Sequence, residues 1–216
     1  GHEVSGVVEK LGEGVTGLAV GQKVTIQPQV VCGECYPRRH GKYNLCESLK
    51  VMGFQTTGVA SHYFAVDARK VNPLPEDMSL DEGAMVEPLA VAVHAVRRAG
   101  DVAGQDICVL GAGPIGILVA QAAKGMGARK VMVTDVSALR LEKAKECGAD
   151  SCVNTKEKDF GEALVECFGP DKADVIYDCA GNNITMGQAI AHDRKGSTII
   201  LVAVFAGQAN VDLAVL

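Results

Sequence analysis

Tryptophan is absent from this chain of 216 residues, and only five phenylalanines and four tyrosines are present. Any core must therefore be built from aliphatic and alanine packing. No apolar run reaches the length of a membrane-spanning helix, and no signal-peptide pattern opens the chain. Positive charge is not in excess either. Against 21 Lys and Arg stand 26 Asp and Glu, a formal net charge of −5, which excludes the basic footprint of a nucleic-acid binder. Internal repeats and low-complexity tracts are missing too. What is plentiful is apolar character, 48% of residues, ample for a sizeable core in one large domain or two small ones.

Eight cysteines invite a disulfide reading, but their placement opposes it. Cys108, Cys152 and Cys179 sit in apolar runs that read as strands, and Cys147 and Cys167 on amphipathic helices. These five read as small buried hydrophobes in a reducing, cytoplasmic compartment. Cys32, Cys35 and Cys46 form a separate group.

Taken in order, residues 1 to about 66 look β-rich. Val4–Val8 and Lys23–Gln27 are short β-branched runs between glycine turns, and Ala60–Val66 is a further strand candidate. The polar, cysteine-bearing stretch Cys32–Lys50 reads as a loop, and Val71-Asn72-Pro73-Leu74-Pro75 as a rigid connector that no helix crosses. Ser79 with Glu82 has the pattern of a capping box opening a short helix that ends near Val86. Pro88 suits the first turn of a second helix, Pro88–Arg98. His94, on its apolar side, is expected to be a packed, hydrogen-bonded histidine.

From Asp106 the texture changes. Strands are expected at 106–111, 130–135, 151–154, 174–179 and 198–204. Helices are expected between them at 114–126, 137–147, 160–168 and 183–193, with Ser137 capping the second. Strands separated by single helices imply a doubly wound parallel sheet.

The stretch Val109-Leu110-Gly111-Ala112-Gly113-Pro114-Ile115-Gly116 joins the first of these strands to its helix. Strand, glycine turn and helix in that order make a dinucleotide fingerprint. Gly111 allows the turn, Gly113 lets a pyrophosphate approach the backbone, and Gly116 lets helix and strand pack closely. Asp135 ends the next strand, where its carboxylate can accept both ribose hydroxyls and repel a 2′-phosphate. NAD is thus favoured over NADP. Arg140 is either a solvated helix residue or a neighbour of the adenosine end.

His2, Glu3 and Glu87 carry donors suited to zinc. Neighbouring residues on a regular strand face opposite sides, so His2 and Glu3 can share an ion only where the backbone bends. Cys32, Cys35 and Cys46 have the spacing of a structural zinc loop but lack a fourth cysteine; His40 is a conceivable substitute.

Gly1-His2-Glu3-Val4-Ser5-Gly6, the cysteine loop, Val86-Glu87-Pro88-Leu89, the glycine turn and Thr134-Asp135-Val136-Ser137 occur in an order that resembles the medium-chain zinc-containing alcohol dehydrogenases. The surroundings of Glu87 look most like the sorbitol and 2,3-butanediol dehydrogenase branch, with L-threonine dehydrogenases close by. That resemblance implies an α/β chain with two parts. One is part of a GroES-like β-rich catalytic domain over residues 1–90, and the other a Rossmann NAD-binding domain over residues 91–216, truncated before its last strand. It also implies catalytic zinc on His2, Glu3 and Glu87, the last directly or through water. Cys32, Cys35 and Cys46 would mark a structural zinc, and Asp135 and Arg140 would hold the adenosine ribose. Pro114 and Ile115 would lie with the glycines against NAD, and Val202, Ala203 and Val204 would approach the nicotinamide. The implied reaction is zinc-assisted hydride transfer from a small alcohol or polyol, in a homo-oligomer, dimer or tetramer.

Three departures stand out. The family's first zinc ligand, a cysteine upstream of His-Glu, and the sixth Rossmann strand both fall outside the chain, which reads as a fragment. Arg38 stands where the third loop cysteine is expected. Alternatives to a polyol or diol dehydrogenase are a catalytically silent NAD-binding fragment and an L-threonine 3-dehydrogenase-like enzyme.

Overall fold

Short β-branched runs become strands where a neighbour is available to complete a ladder. A computed structural model describes residues 1–212 and 214, and the chain divides into two units, Gly1–Pro88 and Leu89–Leu216. Leu213, Val215 and Leu216, at the end of the expected Rossmann domain, lie outside the described residues.

The first unit holds β1 (Ser5–Val7), β2 (Lys23–Ile26), β3 (Gln29–Val30), α1 (Tyr36–Arg39), β4 (Lys50–Val51), β5 (Val71–Pro73) and α2 (Leu80–Ala84). Its three-stranded sheet runs β1-β2-β5, antiparallel throughout. The expected connector at 71–75 is therefore a strand over its first three residues. Pro73 is tolerated there because β5 lies at the sheet edge, where a missing N–H costs no ladder bond. Conversely, 60–66 is not a strand. Phe64 and Val66 instead pack against Ile26, Met52 and Val59, so their apolar character serves a small core. The cysteine loop is less irregular than expected. It contains the helical turn α1, with Pro37 at its start, and its neck is closed by β3 pairing with β4. Ser79 and Glu82 form the reciprocal capping box of α2.

Helix α3 (Val86–Arg98) starts before Pro88, so that Glu87 lies in its first turn. His94 on this helix is exposed rather than packed.

The second unit alternates β6 (Asp106–Leu110), α4 (Pro114–Gly125), β7 (Lys130–Asp135), α5 (Ala138–Glu146), β8 (Ser151–Asn154), α6 (Phe160–Phe168), β9 (Val175–Asp178), α7 (Asn183–His192) and β10 (Thr198–Leu201). All strand pairs are parallel, in the order β10-β9-β6-β7-β8. Strand order reverses between β6 and β9, the point at which such sheets open a crevice for ligands. Alternation along the strands sorts the side chains into two cores. Ile107, Val109, Val131, Val133 and Tyr177 enter one, and Cys108, Leu110, Met132 and Ile176 the other. Each fully buried aliphatic side chain of this kind is worth about 1.5–3 kcal/mol. β10 ends at Leu201 instead of continuing to 204. The Val202 N–H closes the last ladder bond on the Asp178 carbonyl, and the Ala203 N–H turns onto the same oxygen, each at 3.0 Å, where the chain leaves the sheet. No helix among the described residues is long and apolar enough to cross a membrane.

Candidate nucleotide and metal sites

The glycine turn is tightly packed at two of its three glycines. Gly111 has φ +99°, and a Cβ there would meet Ala180 at 3.2 Å. A Cβ on Gly116 would lie 1.8 Å from the Gly111 carbonyl oxygen, so no side chain fits. Gly113 is different: its backbone is extended, and a Cβ would meet nothing within 4 Å. Packing inside the protein does not require glycine at 113. A ligand approaching the backbone does. Gly113 is also the N-cap of α4 and supplies no side-chain acceptor, so the first N–H groups of α4 lack a capping side chain. Open space over a glycine, facing an uncapped helix start, fits a dinucleotide pyrophosphate. Pro114 opens α4, and half-buried Ile115 packs against the core behind the turn.

Asp135 does more than the sequence suggests. Its Oδ2 accepts the Ala112 N–H at 2.8 Å, tying the glycine turn to the end of β7. Oδ1 accepts the Val136 and Ser137 N–H groups at 2.7 and 2.9 Å. The aspartate thereby supplies bonds at the start of α5, whereas Ser137, though positioned as its N-cap, makes no side-chain cap bond as had been expected. Arg140 Nη1 lies 3.9 Å from Asp135 Oδ2, with its side chain 61% exposed. Solvent screens such a pair.

A buried carboxylate beside the switch point was missed by sequence reasoning. Asp178 ends β9 with no exposed surface. Its Oδ1 accepts the N–H groups of Ala180 and Gly181 at 3.0 and 3.1 Å and the Thr185 hydroxyl at 3.1 Å. Its carbonyl accepts Val202 and Ala203. Asp178 thus shapes both segments that leave the sheet beside the switch point. The signal was present: an aspartate ending an apolar run, followed by small residues and a glycine. Ala203 lies on the segment it holds, and Val204 is 95% exposed.

In the first unit, His2 and Glu3 precede β1 and are free of strand geometry. The two side chains converge on one point. One donor atom each from His2, Glu3 and Glu87 lies within 4.8 Å of the others, with His2 Nε2 3.9 Å from Glu87 Oε1. Close backbone packing sets this position. The Gly1 carbonyl accepts the Val59 N–H at 3.0 Å, and a Cβ on Gly58 would lie 2.8 Å from Gly1 atoms. The Phe54 ring leans on the His2 imidazole, centroids 5.1 Å apart. Burial pushes the Glu87 carboxyl above its ordinary range; the nearby Glu3 charge adds to this and His2 opposes it. One imidazole and two carboxylates, one of them poorly solvated, make a donor set that zinc would neutralise. A cavity of about 910 Å³ in the same unit, lined by Val4, Ile26, Val59, Phe64 and Val71 among others, includes none of these donors.

Cys32, Cys35 and Cys46 also converge, their sulfurs within 4.8 Å of one another. Cys32 and Cys46 Sγ are 3.5 Å apart. The Cys32 N–H donates to Cys46 Sγ, and the Cys35 N–H to Cys32 Sγ, at 3.3 and 3.4 Å. Hydrogen bonds from the Glu34 and Cys35 backbone, and then from Cys46, lower the Cys32 thiol to about 7. Among the described residues no fourth His, Cys, Asp or Glu joins the group. His40 does not substitute: its Nδ1 faces the Tyr36 carbonyl at 2.8 Å, and its ring stacks on Tyr36 at 4.0 Å. Three thiolates do not close the tetrahedron of a structural zinc site.

Two family profiles match the chain: an alcohol dehydrogenase GroES-like domain over residues 1–76 and a zinc-binding dehydrogenase over residues 114–216. Among curated relatives, a 2-dehydro-3-deoxy-L-galactonate 5-dehydrogenase of Pseudoalteromonas atlantica is 39% identical over 99% of this chain and 62% of its own. A sorbitol dehydrogenase of Arabidopsis thaliana is also 39% identical, over 99% of this chain and 60% of its own. An L-threonine 3-dehydrogenase of Pyrococcus furiosus is 34% identical, over 98% and 61%. Two solved structures superpose along the chain. A zinc-binding dehydrogenase of Sinorhizobium meliloti bound to NADP has a TM-score of 0.93 at 30% identity, covering 99% of this chain and 64% of that one. An alcohol dehydrogenase of Escherichia coli complexed with NADH has a TM-score of 0.91 at 33% identity, covering 99% and 63%. The chain thus spans about three fifths of the length of its curated relatives.

Proposed function

The chain belongs to the medium-chain zinc-containing alcohol dehydrogenase family, on its sorbitol dehydrogenase-like branch, and on that premise we propose that its protein oxidises a secondary alcohol of a polyol or diol and passes hydride to NAD. The observation that carries this reading is the convergence of His2, Glu3 and Glu87 in a chain that also presents an open, uncapped glycine turn. When bound, zinc supplies Lewis acidity that lowers the pKa of an alcohol hydroxyl. His2 offers an imidazole nitrogen to the ion and Glu3 a carboxylate. Glu87 binds it directly or through a water, and its poorly solvated carboxylate is suited to hold a proton at Oε1.

In the second unit, Gly111, Gly113, Gly116 and the α4 N-terminus receive the pyrophosphate, with Pro114 and Ile115 behind it. Asp135 takes the adenosine ribose, Arg140 flanks it, and Ala203 and Val204 line the nicotinamide end. NADP and NADH both occur in the related structures, and the preference for NAD rests on the Asp135 charge, which disfavours a 2′-phosphate. Three cysteines in apolar strands and two on amphipathic helices, all free thiols, support a reducing, cytoplasmic setting, and a homo-oligomer is proposed on family grounds.

The test is a panel of initial rates on the intact protein with NAD and zinc, using sorbitol, 2,3-butanediol and L-threonine. Turnover of sorbitol or butanediol with kcat/KM well above that for L-threonine is expected. A reversed ranking transfers the assignment to threonine, in line with the Pyrococcus relative. No turnover of any secondary alcohol overturns the proposal.

A further inference from the structure

The three-cysteine loop has the sulfurs of a zinc cage without its fourth donor, and the geometry that remains suits a different chemistry. We propose that the loop is a thiol redox site in which Cys32 and Cys46 join as a disulfide when a peroxide is the oxidant.

Several observations converge on this pair. Their sulfurs are 3.5 Å apart, close enough that small side-chain rotations reach bonding distance. The two residues differ in access: Cys32 is exposed and Cys46 buried. That difference assigns the roles, because the sulfur that meets an oxidant in solution must be the accessible one, and its partner must wait beside it. The backbone already constrains the pair. β3 and β4 pair Gln29 with Val51 and Val30 with Lys50, so the chain enters and leaves the loop side by side. Cys32 and Cys46 stand just inside that neck. A bond between them closes a loop that the ladder has already closed.

The lack of a fourth donor explains why thiol chemistry remains open to the site. Arg38 lies on α1 between Cys35 and Cys46, and its cationic guanidinium donates hydrogen bonds but offers no lone pair to a metal. No other His, Cys, Asp or Glu joins the three sulfurs among the described residues.

The chemistry balances with one hydrogen peroxide. The Cys32 sulfur attacks a peroxide oxygen and the O–O bond breaks, leaving a sulfenic acid on Cys32 and releasing one water. The Cys46 sulfur then attacks Cys32, the S–O bond breaks, the S–S bond forms, and a second water leaves. The two sulfurs lose two electrons to the peroxide, and the two thiol protons end in the waters. Cys35, the third sulfur of the group, stays reduced.

Two measurements on the intact protein test this. First, peptide mapping under non-reducing conditions after stoichiometric hydrogen peroxide should show a Cys32–Cys46 cross-link that dithiothreitol reverses. Cys46→Ser should instead leave Cys32 as a trappable sulfenic acid. Second, metal analysis should find no zinc equivalent that is lost on changing Cys32 to Ser. Arg38→Cys, by supplying the missing thiolate, should add close to one zinc per chain and suppress the cross-link severalfold. Wild-type protein that already carries a Cys32-dependent zinc overturns the proposal. So does peroxide treatment that leaves both cysteines reduced or drives them to sulfonic acid without a cross-link.

Discussion

Replacing Gly113 and Gly116 separately by alanine should separate a glycine kept for a ligand from one kept for the fold. At Gly113, φ is −71° and ψ 177°, a conformation open to alanine, and the added methyl meets no atom within 4 Å. Two small effects oppose each other. Alanine is a poorer N-cap than glycine, while its stiffer unfolded chain returns about 0.4–1 kcal/mol. Net stability should therefore shift by less than about 1 kcal/mol, or about 2–4 °C in Tm for a protein of this size. A pyrophosphate seated against the turn would meet that methyl. An overpacking cost of about 1–3 kcal/mol corresponds to a nucleotide Kd about 5- to 150-fold weaker. At Gly116 the methyl falls 1.8 Å from the Gly111 carbonyl oxygen, and only movement of the turn itself relieves the clash. Destabilisation above about 3 kcal/mol, or about 6–12 °C, is expected there. Calorimetric titration with NAD and thermal melts of both variants read the two effects. A Gly113→Ala protein that binds NAD as tightly as wild type, or that melts like Gly116→Ala, would refute the reasoning.

Three other perturbations follow from the same geometry. Glu87→Gln should stabilise the metal-free protein at neutral pH. Burial raises the folded-state pKa of Glu87, so its carboxylate costs folding free energy as pH rises from the unfolded value, about 4.3, through the folded one; below both values the difference vanishes. Melts near pH 4 and pH 7, with a zinc titration showing weaker binding by the variant, check it, and destabilisation at pH 7 would contradict it. Asp135→Asn keeps one oxygen for the backbone N–H groups of Ala112, Val136 or Ser137 but removes the charge, so the ratio of NAD to NADP affinity should fall by about tenfold or more, the effect of ~1.4 kcal/mol; an unchanged ratio removes the ribose assignment. Gly58→Ala would place a methyl 2.8 Å from Gly1 and displace His2, so zinc affinity should drop about 10- to 100-fold, as when a ligand's support is lost, while NAD binding by the separate second unit persists.

Sequence pattern reached furthest where local rules and packing agree. From β6 onward, apolar runs buried on both faces, glycine after the helices and one helix between strands leave a single arrangement, and the parallel sheet follows. Boundaries failed where a distant group decides them. β10 stops at Leu201, where the Ala203 N–H turns back onto the Asp178 carbonyl that already holds Val202, which no local pattern announces. In the first unit, 60–66 has a strand's composition without a ladder, and 71–73 pairs despite its proline. The sites divide in the same way. The glycine turn was legible because its strand, glycines and helix are contiguous in sequence, whereas the joining of His2 and Glu3 to Glu87 depends on backbone packing at Gly1, Val59 and Gly58. Asp135 was singled out for its charge, and its bond to the glycine turn emerged only from the fold.

The central claim is that His2, Glu3 and Glu87 hold the ion on which alcohol oxidation depends. It is tested most directly by measuring zinc content and NAD-dependent alcohol oxidation together, on the intact wild-type protein and on Glu3→Gln. The predicted result is joint loss: one tightly held zinc disappears, turnover falls with it, and NAD affinity is unchanged. A variant that retains its zinc and its rate would contradict the claim.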